Sequence, residues 1–239
     1  MLEIRNIAFS YRFSKEKVLE DVSLVASPGE AVAITGANGC GKTTLMKILA
    51  AAMAPDAGSF RIDGRDVLSN PAAYRRTMGY LPEKPVPYEE MTVKHYLQYC
   101  GRLKGESEKR LKRRIAEASE TCRIAQFLDR PVRNLSFGLK KRVALADAIL
   151  LRPRVLLLDD PLAGLDAEMR EVAGAAIASV AAFSCVIATG HELESMSKWA
   201  TRFLVLSKGR ITASVQMAGA DVAAGVERVR AALKGGMAA

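Results

Sequence analysis

Residues 2–11 (LEIRNIAFSY) and 18–26 (VLEDVSLVA) alternate apolar and polar side chains, the mark of strands with one buried face. Pro28-Gly29-Glu30 turns the chain into Ala31-Val32-Ala33-Ile34-Thr35, a run apolar on both faces that predicts a fully buried strand. A glycine-rich loop follows, then a predicted helix over 42–53 that stops before a Pro-Asp-Ala-Gly turn at 55–58. Residues 60–62 with the Asp63-Gly64 turn predict another short strand pair. From 92 to about 151 the chain is long, charged and helix-forming, and at 155–158 it returns to an apolar strand. Pro82, Pro85 and Pro87 mark the way into that stretch, and Pro153 the way out. There is no internal repeat, and the Ala/Gly-rich end after Met217 predicts a small helix with a loose tail. The alternation predicts an α/β core carrying a helical insertion.

Residues 172–190 carry no charge over 19 positions, enough to cross a bilayer by length alone. The first part is mostly Ala, Gly and Ser, which gain little on transfer to lipid, and residues 184–188 (SCVIA) read as a buried strand. A packed helix followed by a strand is expected instead. Residues 1–13 mix charges with apolar positions and lack the continuous apolar stretch of a signal peptide.

With 239 residues, 49% hydrophobic and 26% charged, the chain can bury a sizeable core, which excludes intrinsic disorder and disulfide-stapled miniproteins. Cys40, Cys100, Cys122 and Cys185 lie too far apart in sequence for the close pairing of a zinc site or redox couple, which suits a reducing cytosol. Net charge of +9 suggests an anionic partner. Residues 101–154 carry that entire excess. Clusters such as Lys109-Arg110 and Lys112-Arg113-Arg114 read first as a solvated helix face and second as a surface turned to a membrane.

Chemistry enters with Gly36-Ala37-Asn38-Gly39-Cys40-Gly41-Lys42-Thr43-Thr44, a G-x-x-x-x-G-K-T loop placed directly after a buried strand and at the start of a helix. Gly36, Gly39 and Gly41, with Asn38, Cys40 and Thr44 between and beside them, let backbone N–H groups converge on phosphate oxygens at a helix N-terminus. Lys42 can reach the β and γ phosphates of ATP, and Thr43 can offer its hydroxyl to Mg²⁺. Cys40, close to Lys42 and a helix start, is expected to be a reactive thiol that ATP protects. Val155-Leu156-Leu157-Leu158-Asp159-Asp160-Pro161 is the partner signal, an apolar strand ending in two carboxylates. Asp159 can hold Mg²⁺ and Asp160 can polarise an attacking water.

These residues resemble the ATP-binding subunit of ABC transporters, and the resemblance covers nearly the whole chain. Leu135-Ser136-Phe137-Gly138-Leu139 and the following Lys140–Ala146 are similar to that family's signature loop and helix. Ala163-Gly164-Leu165-Asp166 resembles its D-loop, His191 its switch histidine, Tyr11 its adenine-stacking aromatic, and Tyr80-Leu81-Pro82-Glu83 its Q-loop. The resemblance implies a P-loop NTPase core of ABC type with an antiparallel β subdomain and a helical subdomain insertion. Residues 1–86 would form the RecA-like core with the β subdomain, 87–151 the helical subdomain, 152–216 the rest of the core, and 217–239 a C-terminal helix and tail. It implies catalytic roles for Asp160, His191 and Glu83, Mg²⁺ on Thr43, Asp159 and Glu83, and nucleotide contacts by Tyr11, Ser136, Gly138 and Asp166 besides the loop.

The implied mechanism is ATP hydrolysis by paired chains, either a homodimer or a heterodimer with another ATP-binding subunit. Ser136 and Gly138 of one close over ATP on the other, and the motion drives separate membrane-spanning subunits from the cytoplasmic face of the inner membrane. Partners would be those membrane subunits, with no nucleic acid expected. Asp160 stands where most relatives have Glu, which implies slow turnover and leaves a weakly hydrolysing regulatory or mechanical subunit as the alternative. Glu83, Phe137 and Leu139 depart from the commonest residues in a way that tilts the expectation towards an exporter, and Asp147 replaces an Arg common in the signature helix.

Overall fold

The computed structural model describes residues 1–12, 16–217 and 221–238. The two alternating segments form β1 (Leu2–Ser10) and β2 (Lys17–Ala26), which pair antiparallel with each other and, through β1, with β4 (Ala57–Ile62) and β5 (Arg65–Asp66). The apolar runs form the centre of a second, six-stranded sheet. Its order is β10 (Arg210–Gln216), β9 (Arg202–Ser207), β3 (Ala31–Thr35), β8 (Cys185–Thr189), β7 (Val155–Leu158) and β6 (Met78–Leu81). All its pairings are parallel except β9 with β10.

Period two sorts the side chains of β3 between two cores. Val32 and Ile34 pack with the four-stranded sheet and with Leu45, Ile48 and Leu49 of α1 (Lys42–Leu49). Ala31 and Ala33 face a second cluster built by helices including α5 (Phe137–Ile149) and α6 (Ala167–Ala181). Both faces of the sheet's centre are therefore covered, which is why β3, β7 and β8 read as unbroken apolar runs.

Helix α1 is shorter than the expected span to residue 53. Ala51 takes a left-handed backbone (φ 51°), and the amides of Ala52 and Met53 fold back on the Lys47 carbonyl at 2.9 and 3.3 Å. The charged helix-forming stretch divides into α3 (Val93–Leu103), α4 (Glu108–Thr121) and α5, with 3-10 turns at Ala125–Phe127 and Val132–Asn134. Gly105 (φ 87°) and Arg123 (φ 50°) break it where the chain must reverse. The uncharged segment is α6 followed by β8, and no helix among the described residues is long and apolar enough to cross a membrane. The C-terminal helix α8 (Val222–Ala238) is longer than expected and buries Val226 and Val229. Ala239, the end of the expected tail, lies outside the described residues.

Asp147 turns out to join two helices. Its Oδ2 accepts the Tyr96 hydroxyl at 3.3 Å, and its Oδ1 lies 3.5 Å from Lys104 Nζ, tying α5 to the end of α3. Ser136 sits at the opposite end of α5, roughly 16 Å away at 1.5 Å per residue.

Candidate functional site

Four loops at the C-terminal ends of β3, β6, β7 and β8 converge on one cleft of about 520 Å³. Parallel strands place their following loops on the same edge of the sheet, so these segments meet although they are far apart in sequence. The loop after β3 supplies one wall. Gly39 (φ 78°) and Gly41 (φ 109°) adopt backbone open mainly to glycine, and Gly41 is the N-cap of α1. A Cβ on Gly36 would lie 2.1 Å from the Leu206 carbonyl oxygen, so only glycine lets the loop lie against β9. Lys42 curls over the loop, its Nζ donating to the carbonyls of Gly36 (2.8 Å) and Ala37 (2.9 Å).

Asp159, 2% exposed, ends β7 at the cleft floor. Its Oδ1 accepts the Thr189 hydroxyl at 2.7 Å and the Thr43 hydroxyl at 3.4 Å. Thr189 in turn accepts the Asp160 N–H at 3.0 Å, so one hydroxyl at the end of β8 fixes both acidic residues. Asp160 has a left-handed backbone (φ 48°). Burial pushes its carboxyl pKa up, Lys141 and His191 pull it down, and Glu83 and Asp159 push it up.

Thr43 and Asp159 offer a hydroxyl and a carboxylate oxygen side by side, the hard donors that Mg²⁺ takes. Among the described residues no group of three His, Cys, Asp or Glu could hold a metal by itself. Mg²⁺ needs no such cage, because it keeps waters and takes substrate phosphate oxygens, so the pair fits it.

Tyr11 borders the cleft from the β1 side. Its hydroxyl lies 3.0 Å from Thr44 Oγ1, its ring meets Phe9 edge-on with centroids 5.1 Å apart, and 43% of the residue remains exposed. Asn38, Gly39, Gly41, Lys42, Thr43, Thr44, Glu83, Asp159, Asp160 and His191 all line the same space. Glu83 and His191 sit on its exposed rim.

Other expected residues lie elsewhere. Gly36 and Cys40 are not on the cleft surface. Cys40 is 9% exposed, its Sγ is turned towards Gly36, and burial raises its pKa despite the nearby Lys42. The reactive thiol expected there is therefore not supported by its surroundings: the loop closes over the sulfur instead of presenting it. Ser136, Gly138 and Asp166 are also outside the cleft. Ser136 caps α5 through the Leu139 N–H (3.3 Å), Asp166 caps α6 through the Met169 N–H (2.8 Å), and Gly138 lies against Met169. Thr189, Val18 and Lys141 carry no expected role, yet Thr189 and Val18 line the cleft and Lys141 stands behind Asp160.

The family model described as "ABC transporter" matches residues 19–163. The spermidine/putrescine import ATP-binding protein PotA of Chromobacterium violaceum is 37% identical over 171 residues, 72% of this chain. The chain spans 46% of that relative, about half its length. The uncharacterized ABC transporter ATP-binding protein YxlF of Bacillus subtilis is 30% identical over 212 residues, 89% of this chain and 70% of the relative. A solved structure described as the ATP-binding subunit of an ABC transporter superposes with a TM-score of 0.83 at 29% identity, covering 95% of this chain and 99% of that one. Relatives named for import do not support the exporter direction expected from Glu83, Phe137 and Leu139.

Proposed function

The chain belongs to the ABC transporter family, and on that footing we propose that it is an ATP-binding and ATP-hydrolysing subunit whose closure on nucleotide energises separate membrane-spanning subunits. The observation that carries this is the meeting of Lys42, Thr43, Asp159 and Asp160 in one cleft, with the part-exposed Tyr11 beside it. The α1 N-terminus and the loop amides receive the phosphates, and Lys42 exchanges its carbonyl partners for β and γ oxygens. Tyr11 receives the base. Thr43 and Asp159 hold Mg²⁺, which when bound neutralises charge on the phosphates. Asp160 orients and deprotonates the attacking water, with His191 and Glu83 on the rim beside it.

Ser136, Gly138 and Asp166 fall outside the cleft of their own chain, which supports a head-to-tail pair in which they complete the site of the other member. Ser136 already caps α5, so the same helix N-terminus that it terminates would face the other chain's γ-phosphate. The helical stretch within 87–151 would carry the motion to the membrane partner, holding the chain peripherally on the cytoplasmic face of the membrane.

The second reading is a subunit that closes on ATP and hydrolyses it slowly. The short Asp160 side chain on a left-handed backbone favours it. Nucleotide titration and phosphate release test both. ATP binding that survives Lys42→Ala contradicts the site, and binding with negligible turnover in the presence of the membrane partner selects the second reading.

A further inference from the structure

Lys141, in the second turn of α5, is 2% exposed, and its ammonium donates to two backbone carbonyls, those of Asp160 (2.7 Å) and Ala163 (2.8 Å). An ammonium so far from solvent is costly, and burial pushes its pKa down while Asp160, Glu83 and Asp159 act the other way. The Asp160 peptide is thereby gripped from two sides. Its N–H goes to Thr189 in the central sheet, and its carbonyl goes to Lys141 in the helical insertion, sharing that carbonyl with the Ala163 N–H at 3.3 Å. A left-handed Asp has few conformations to fall back on, so these partners decide where its carboxylate is aimed.

Two further contacts bind this loop and the start of α6 to the same helix. The Phe137 ring lies over Gly164, where φ is 71° and a Cβ would come within 2.9 Å of Phe137 Cε1. Gly138 is pressed against Met169, with a Cβ there only 2.1 Å from Sδ. The first turns of α5 and residues 160–169 thus form one packed unit.

We propose that Lys141 is a positioning residue for hydrolysis: by holding the Asp160 and Ala163 carbonyls it fixes the backbone from which the Asp160 carboxylate is aimed, and it ties that aim to the position of α5. This rests on the ATPase reading given above. The consequence is that α5, whose N-terminus caps one nucleotide site, holds the water-activating residue of the other in register.

The test uses the full chain unaltered and as Lys141→Met, Lys141→Gln and Lys141→Arg, with MgATP turnover normalised to bound nucleotide and amide exchange followed in residues 160–165. In the Met and Gln variants kcat falls about tenfold or more, the scale on which small misplacements of a reacting group act, while KM for ATP stays within about twofold. Exchange at Ala163 accelerates, and the Arg variant, which keeps a cationic donor, recovers most of both. An unchanged kcat in Lys141→Met overturns the proposal. So does a loss of kcat matched by loss of ATP affinity, which marks a general packing role, and so does an Arg variant as slow as the Met one. If the unaltered chain binds ATP without hydrolysing it, the ATPase reading fails, and the exchange at Ala163 still decides whether Lys141 holds the loop.

Discussion

Replacing Asp160 by Glu separates reach from strain. The backbone at this position is held by Thr189 at the amide and Lys141 at the carbonyl, so the substitution changes little but side-chain length. One added carbon–carbon bond extends the carboxylate by about 1.5 Å. Misplacement of a reacting group by about 1 Å can cost roughly a hundredfold in rate, or about 2.7 kcal/mol in the barrier. If the Asp carboxylate is held back from the water, Asp160→Glu therefore raises kcat by between about tenfold and a hundredfold. The same substitution places Glu at φ 48°, where Asp is better tolerated. The strain of about 1 kcal/mol lowers the unfolding midpoint by roughly 2–4 °C in a chain of this size. Asp160→Asn keeps the shape and removes the base, and turnover falls by about a hundredfold or more. Phosphate release at saturating MgATP with parallel thermal unfolding reads all three. Equal rates in Asp, Glu and Asn would refute the assignment of Asp160 as the group that activates water.

Three further outcomes follow from local geometry. Gly36→Ala drives a Cβ to 2.1 Å from the Leu206 carbonyl and 2.8 Å from Cys40 Sγ. It should cost about 1–3 kcal/mol of stability and weaken nucleotide binding at least about tenfold, and unchanged titration and melting curves would contradict the loop packing. Cys40 in the native chain should be alkylated far more slowly than in the unfolded chain, with or without ATP, as peptide mass spectrometry after timed labelling can show. Asp147→Arg removes the acceptor of the Tyr96 hydroxyl and sets a second cation beside Lys104. A loss of roughly 1–3 kcal/mol with unaltered ATP affinity is expected, and weakened ATP binding instead would mean that this contact reaches the nucleotide site.

The parts of the site that lie within one contiguous stretch were legible. Strand, glycine loop and helix follow each other from Ala31 to Leu49, and strand and paired acids from Val155 to Asp160, so spacing alone marks them as candidates for the site. Contacts across the sheet were not. Thr189 meets Asp159 only because β8 lies beside β7 in parallel, a pairing that no local pattern fixes. Lys141 in sequence is the middle of a Lys-Lys-Arg run and looks like any surface lysine, and its burial comes from the loop folded against α5. Some missed elements did carry a signal. Asn70-Pro71 is a helix start with a capping side chain and a proline in the first turn, and it opens α2 (Pro71–Thr77). Phe203–Leu206 followed by Lys208-Gly209 and an alternating ITASV run is the pattern of the β9–β10 hairpin. The fate of Cys40 could not be read at all, because the loop that exposes amides to a ligand also folds over the sulfur, and sequence neighbours show only the nearby lysine.

The proposed clamping of ATP between two ATP-binding chains is tested most directly by sedimentation of the Asp160→Asn chain with and without MgATP. The expected result is a species of one chain without nucleotide and of two chains with it, reversed by adding Lys42→Ala or a bulky residue at Ser136. A chain that binds MgATP with Lys42 intact yet stays single, alone and alongside its membrane partner, would contradict it.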